Sequence, residues 1–136
     1  MKSANYRLTK LTTVFSAQAS STVSANISTK HYDMIIIQVA TAAATDGTFK
    51  IRGSVDSSAV LATDQSTTNI WDHVHSYNLD TPASGVNGNT GYSLGASAYA
   101  QIKVNVNTMK VIALEIASMT AGAYTAKVYG VNQYGT

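Results

Sequence analysis

His73 and His75 are separated by a single valine, so on a strand both imidazoles point to one face, about 7 Å apart along the chain. Imidazole nitrogens ligate divalent metals, but two of them hold one weakly. Three copies around a threefold axis would be needed for an octahedral set, and no carboxylate or further histidine is fixed nearby. The competing reading, two polar residues exposed or hydrogen-bonded beside Trp71 and Tyr77, asks for less, and no metal or other cofactor is expected. Trp71 and Tyr77 raise a second chemistry. Carbohydrate-binding sandwiches stack sugars on aromatic strips, where a ring face covers apolar C–H patches and Asn or Asp holds hydroxyls. Asn87, Asn89 and Tyr92, in the glycine-rich segment that follows, would extend such a site. A lone tryptophan in a small β-domain is more often a core plug.

Other residue patterns carry less. Asp56, Asp64, Asp72 and Asp80 recur every eight residues on dissimilar local sequence. Calcium needs oxygen ligands clustered by a tight loop, and no EF-hand or nonapeptide pattern is present. The segment 85–95 is glycine-rich, but no Lys-Ser/Thr ends it and no helix follows, so it is not a phosphate loop. Serines are abundant, yet no nucleophile elbow gives any of them a catalytic setting. No catalytic residue is assigned, and the chain is expected not to be an enzyme.

Composition narrows the partners. Only 12% of the 136 residues are charged, the formal net charge is +2, and there is no cysteine. Neither a disulfide framework nor a thiolate metal site can form. The cations are scattered, without the cluster that phosphate contacts require, which argues against nucleic acid. No apolar stretch follows Lys2, so no secretory signal is expected. Purely apolar runs reach only four residues, as in Met34 to Ile37, far short of the roughly 20 residues a membrane helix needs. What remains is a neutral surface rich in Thr, Ser and Tyr, suited to wide packing against other proteins or to exposure outside a cell.

The elements that must position these residues are strands. Apolar and polar residues alternate through 20–29, 32–40, 49–55, 69–79, 99–107 and the closing stretch Met109 to Val131. The run Met34-Ile35-Ile36-Ile37 with Val39 is apolar enough for a central strand covered on both faces. Asp46-Gly47 and Ala121-Gly122 carry turn chemistry that predicts two hairpins, one joining 32–40 to 49–55 and one closing the chain. Gly53 in mid-strand predicts a bulge or a close backbone approach. Ile112, Leu114, Ile116, Ala126 and Val128 are the expected inward set, with Glu115 pointing away. In 69–79, Trp71, His73, His75, Tyr77 and Leu79 share one side. Residues 56–68 form a polar loop or edge; 80–98 is a long irregular piece that is functional, mobile, or holds a short strand near Tyr92. No apolar stripe has helical period, so little or no helix is expected. The expectation is an all-β, jelly-roll-like antiparallel sandwich of two sheets and about eight strands over residues 20–136, with 1–19 as an arm or first strand.

One combination of segments is familiar. Phe49-Lys50-Ile51-Arg52-Gly53-Ser54-Val55-Asp56 is followed by the tryptophan strand Ile70-Trp71-Asp72-His73-Val74. A Gly/Asn loop, Val104-Asn105-Val106-Asn107 and a terminal hairpin from Lys110 to Tyr129 come next. Over about residues 30 to 131 this resembles small β-sandwich virion proteins of tailed bacteriophages, especially capsid decoration (cement) proteins and related head or tail accessory proteins. The resemblance implies a homo-trimer seated on capsid protein or other virion proteins, with no active site and no cofactor. It implies a place in the virion after synthesis in a host cytoplasm. An arm bearing Lys2, Arg7 and Lys10 would reach a neighbour and order on binding. The alternatives are a glycan- or receptor-binding sandwich using Trp71, Tyr77 and the 85–95 loop, or a tail or baseplate subunit.

Overall fold

Met34-Ile35-Ile36-Ile37 opens the strand at the centre of the larger of two sheets. The computed structural model describes residues 10–81 and 84–131; Lys2 and Arg7 lie outside them. In chain order the strands are β1 (Thr12–Gln18), β2 (Thr22–Val23), β3 (Ile27–Ser28), β4 (Met34–Thr41), β5 (Thr48–Ser54), β6 (Asp72–His73), β7 (Ser76–Asn78), β8 (Gly85–Val86), β9 (Tyr99–Asn105), β10 (Val111–Ala117) and β11 (Tyr124–Val131). Sheet A has the order β1-β11-β4-β9-β7-β8. Sheet B has the order β2-β10-β5-β6, with β3 also paired to β10. All pairings are antiparallel, and the described residues contain no helix. The all-β two-sheet sandwich is as expected. Its eleven strands exceed eight because short segments such as β2 and β3 pair separately.

The core lies between the sheets. Ile35, Ile37 and Val39 of β4, Ile102 and Val104 of β9, and Tyr124 and Ala126 of β11 face Phe49, Ile51, Ile112, Leu114 and Ile116 from sheet B. Period-2 placement puts one apolar set inward along each strand. β4 is central but not covered on both faces: Ile36 is half-buried and Gln38 exposed. β1 is the edge of sheet A, so Thr12–Gln18 is a first strand, with Phe15 in the core. The expected strand 20–29 is broken, because Ser24 takes over the ladder: Leu114 N–H donates to its hydroxyl and its own N–H donates to the Leu114 carbonyl. Gly53 lies in regular register with Ile112, without a bulge. The side chains of Met109 and Val74, rather than another backbone, occupy the space where its Cβ would stand.

Neither expected hairpin is a hairpin. β4 pairs with β11 and β9, whereas β5 pairs with β10 and β6, so the Asp46-Gly47 turn carries the chain from sheet A across the core to sheet B. The segment 118–123 carries β10 back to β11 in the other direction. An arch of this kind lets both strands keep their apolar faces toward one interior. It uses the same turn residues: Gly47 and Gly122 have φ of 85° and 91°. The two arches lie side by side. Ala42 N–H donates to the Ala123 carbonyl at 3.0 Å and Asp46 N–H to Ala121 at 3.2 Å. The Asp46 carboxylate accepts from the Thr120 hydroxyl and from the N–H groups of Ala121 and Thr120, which together hold it below its ordinary pKa. A Cβ on Gly122 would fall 2.3 Å from Thr45 Cα, so the contact between arches requires glycine there.

Candidate functional site

The sandwich has two outer faces, and they are built differently. Over sheet B, β10 is buried on both sides. Val111 and Ala113 point outward into a second small core with Ala59, Leu61 and Trp71, closed by the segment 55–71. Trp71 is only 8% exposed, and its Nε1–H donates to the Thr63 carbonyl at 3.0 Å. The Arg52 guanidinium lies 4.0 Å over its ring, donates from Nη1 to the Leu61 carbonyl at 2.7 Å, and donates from Nε to Glu115 Oε1 at 2.7 Å. One arginine thus fixes the covering loop, the indole and the sheet together.

Glu115 points away from the main core, as expected, but into this cluster instead of into water. His73 Nε2 lies 2.7 Å from the same oxygen, and His73 Nδ1 lies 2.9 Å from Asn89 Oδ1. Burial opposes ionisation of Glu115, yet the hydrogen bonds from Arg52 and His73 and their charges outweigh it and lower its pKa. Nε2 must donate to the carboxylate. Nδ1 is then an acceptor in neutral imidazole and a donor in imidazolium, and the Asn89 amide satisfies either by presenting its NH2 or its oxygen. The 84–95 loop lies flush on the cluster, since a Cβ on Gly88 would fall 2.4 Å from the His73 carbonyl.

These placements separate residues expected together. His73 belongs to β6 in sheet B, whereas His75 lies in the link by which the chain crosses to β7 in sheet A. His75 is exposed, edge-on to Tyr77 at 5.1 Å between ring centroids. Trp71 and Tyr77 do not form one strip. Tyr92 is buried: it bridges to Phe49 as a single ladder rung, and its hydroxyl meets the Ser76 hydroxyl at 2.8 Å. Asn87 and Asn89 are exposed, the Asn87 side chain accepting the Asn89 N–H. Lys10 is exposed just ahead of β1. Among the described residues no three His, Asp or Glu side chains gather as a metal-ligating group, and no helix is long and apolar enough to cross a membrane.

Among the described residues, no segment covers the outer face of sheet A. Register places Ile36 between Lys103 and Tyr129, Gln38 between Gln101 and Lys127, and Ala40 between Tyr99 and Thr125. Gln38 donates to Gln101 across the strands at 3.1 Å. Tyr99 is 83% exposed. A shallow apolar depression of about 390 Å³ is lined by Leu11, Ile36, Gln38, Leu79, Gln101 and Tyr129. A second, of about 300 Å³, opens between Gln38, Tyr99 and Lys127. Sequence patterning marks several of these residues as outward, but not that they make one continuous plane.

No protein-family model and no curated protein sequence matches the chain. Among solved structures, the fold is similar to that of the SPBc2 prophage-derived protein YomS, with a TM-score of 0.64 and 11% identity over 90% of this chain and 91% of that one.

Proposed function

We propose that the chain is a non-enzymatic structural protein of a tailed-phage particle, a capsid decoration protein that stabilises the head lattice by contact with capsid protein. The observation that carries this reading is the bare outer face of sheet A. Long paired strands present amides, tyrosines and two lysines there with no layer of the described residues above them. Such a surface forms many hydrogen bonds and apolar contacts while burying few charges, which suits a permanent interface. Repetition over a shell turns modest single contacts into high avidity. The shared fold with a prophage-derived protein supports the same setting.

The test is mass spectrometry and immunolabelling of purified particles from a host carrying the gene. Many copies per particle are expected, lost from particles when Tyr99→Glu replaces the wild type; particles free of the protein would overturn the reading. One observation favours glycan binding as a second reading. Tyr99 exposes a ring beside Gln38 and Lys127, the pairing of flat apolar face and hydrogen-bonding groups that sugars use. It moves the stacking residue from Trp71 to Tyr99, and glycan-array binding that Tyr99→Ala abolishes would support it.

A further inference from the structure

The six large apolar side chains that stand exposed among the described residues divide evenly between the two outer faces. Leu11, Leu79 and Tyr99 lie on or beside the open face of sheet A, whereas Val55, Val60 and Ile70 lie on the segment covering sheet B. The two sets differ in shape. Leu11 and Leu79 line the depression of about 390 Å³. Val60 and Ile70, 51% and 62% exposed, project from a loop held by the Asn69 side chain. That amide accepts from Val60 N–H at 2.7 Å and donates to the Val60 carbonyl, the Thr63 hydroxyl and the Asp64 carbonyl, each at 3.0 Å. Ser54 adds a bond to the Ile70 carbonyl at 2.7 Å. A projection fixed this way loses little freedom when it is buried.

Charge divides in the same sense. The open face bears Lys103 and Lys127, both half-buried like Lys50 and the first with its ammonium 5.5 Å over the Tyr77 ring, with Lys10 beside Leu11 and Asp80 at its rim near Tyr99. The covered face exposes Asp56 and Asp64; Glu115 is engaged by Arg52 and His73, and Lys50 is half-buried. Lys30 and Lys110 belong to one end of the sandwich, beside Met109 and Asn107.

From this complementarity we propose that a second copy of the chain occupies the open face: the Val60/Ile70 projection of one molecule seats in the Leu11/Leu79 depression of the next, with Asp64 and its neighbours toward Lys103 and Lys127. The inference rests on the reading of this face as a structural interface, but it seats a second copy there in place of capsid protein. Because the two patches lie on opposite sides of a two-layer sandwich, the contact is heterologous. It repeats as an open stack or closes only over many copies. That differs from the homo-trimer the phage resemblance implies.

Sedimentation velocity over a concentration series tests it in purified protein, independently of any particle. The wild type is expected to self-associate, and Tyr99→Glu/Gln101→Glu (open face) and Val60→Glu/Ile70→Glu (projection) each to weaken association at least about tenfold, a change of 1.4 kcal/mol. Mixed one to one, the two variants should form a heterodimer that grows no further, since each retains one intact patch. Circular dichroism checks folding, and Val60→Thr/Ile70→Thr serves if the glutamate version unfolds. A wild type monomeric at the highest concentration, a projection variant that still self-associates, or a mixture that stays monomeric would each overturn the proposal.

Discussion

The two outer faces of this sandwich start from the same kind of strand and end differently. On sheet B, Val111 and Ala113 are outward residues that the chain itself covers, sealing them with Leu61 and Trp71 and fastening the lid through Arg52. On sheet A, Ile36, Gln38 and Tyr129 are outward residues that no described segment covers. The chain therefore covers one outer face with its own segment 55–71 and, among the described residues, leaves the other uncovered. The tryptophan, the most conspicuous binding residue in the sequence, belongs to the first. Tyr99, which sequence patterning does not distinguish from the other seven tyrosines, belongs to the second.

The sharpest way to break this comparison is to cut the same kind of residue from each side. Trp71→Ala should lower stability by about 3–5 kcal/mol, as for a core aromatic; a loss under about 1 kcal/mol in urea denaturation would mean the 55–71 segment is not a core layer. Leu114→Ala, between the sheets, should cost about 2–5 kcal/mol and serves as the reference for a fully buried site. Glu115→Ala removes the acceptor shared by Arg52 and His73, and should cost about 1.5–3 kcal/mol, the usual range for hydrogen bonds to a charged group. Tyr99→Ala should fall within about 0.5 kcal/mol of the wild type, because its ring is supported by little of its own chain.

The Glu115 interaction also has a pH signature. Its pKa is lowered in the folded state below the ordinary 4.5. The folded state then binds fewer protons than the unfolded one as the pH falls through that range, so the stabilisation is present above pH 4.5 and is lost below it. In urea titrations, the advantage of wild type over Glu115→Gln should be full at neutral pH and shrink as the pH drops toward 3 or below. An advantage independent of pH would show that the carboxylate charge contributes nothing.

Alternation along β4, β5, β9, β10 and β11 is enough to infer an all-β sandwich, because period-2 burial is a local property. Which sheet a strand joins is not local. Asp46-Gly47 satisfies an inter-sheet arch as well as a hairpin turn, so the two arches look like hairpins in sequence. The second core left a faint trace: Val111-Ile112-Ala113-Leu114 is a continuous apolar run, the mark of a strand buried on both faces. The cluster at Glu115 left none, since Arg52, His73 and Glu115 are 21 and 42 residues apart and meet only through strand register. The open face was half-legible. Gln101, Lys103 and Lys127 show as outward positions, but only the order β11-β4-β9 makes them neighbours.

Lysine-reactive footprinting of the dilute protein against its particle-bound form tests the division of labour between the faces most directly. The expected result is strong protection of Lys103 and Lys127 on binding, with Lys30 and Lys110 at the end of the sandwich unchanged. Lys103 and Lys127 labelled as readily in the bound form as in the free one would contradict it.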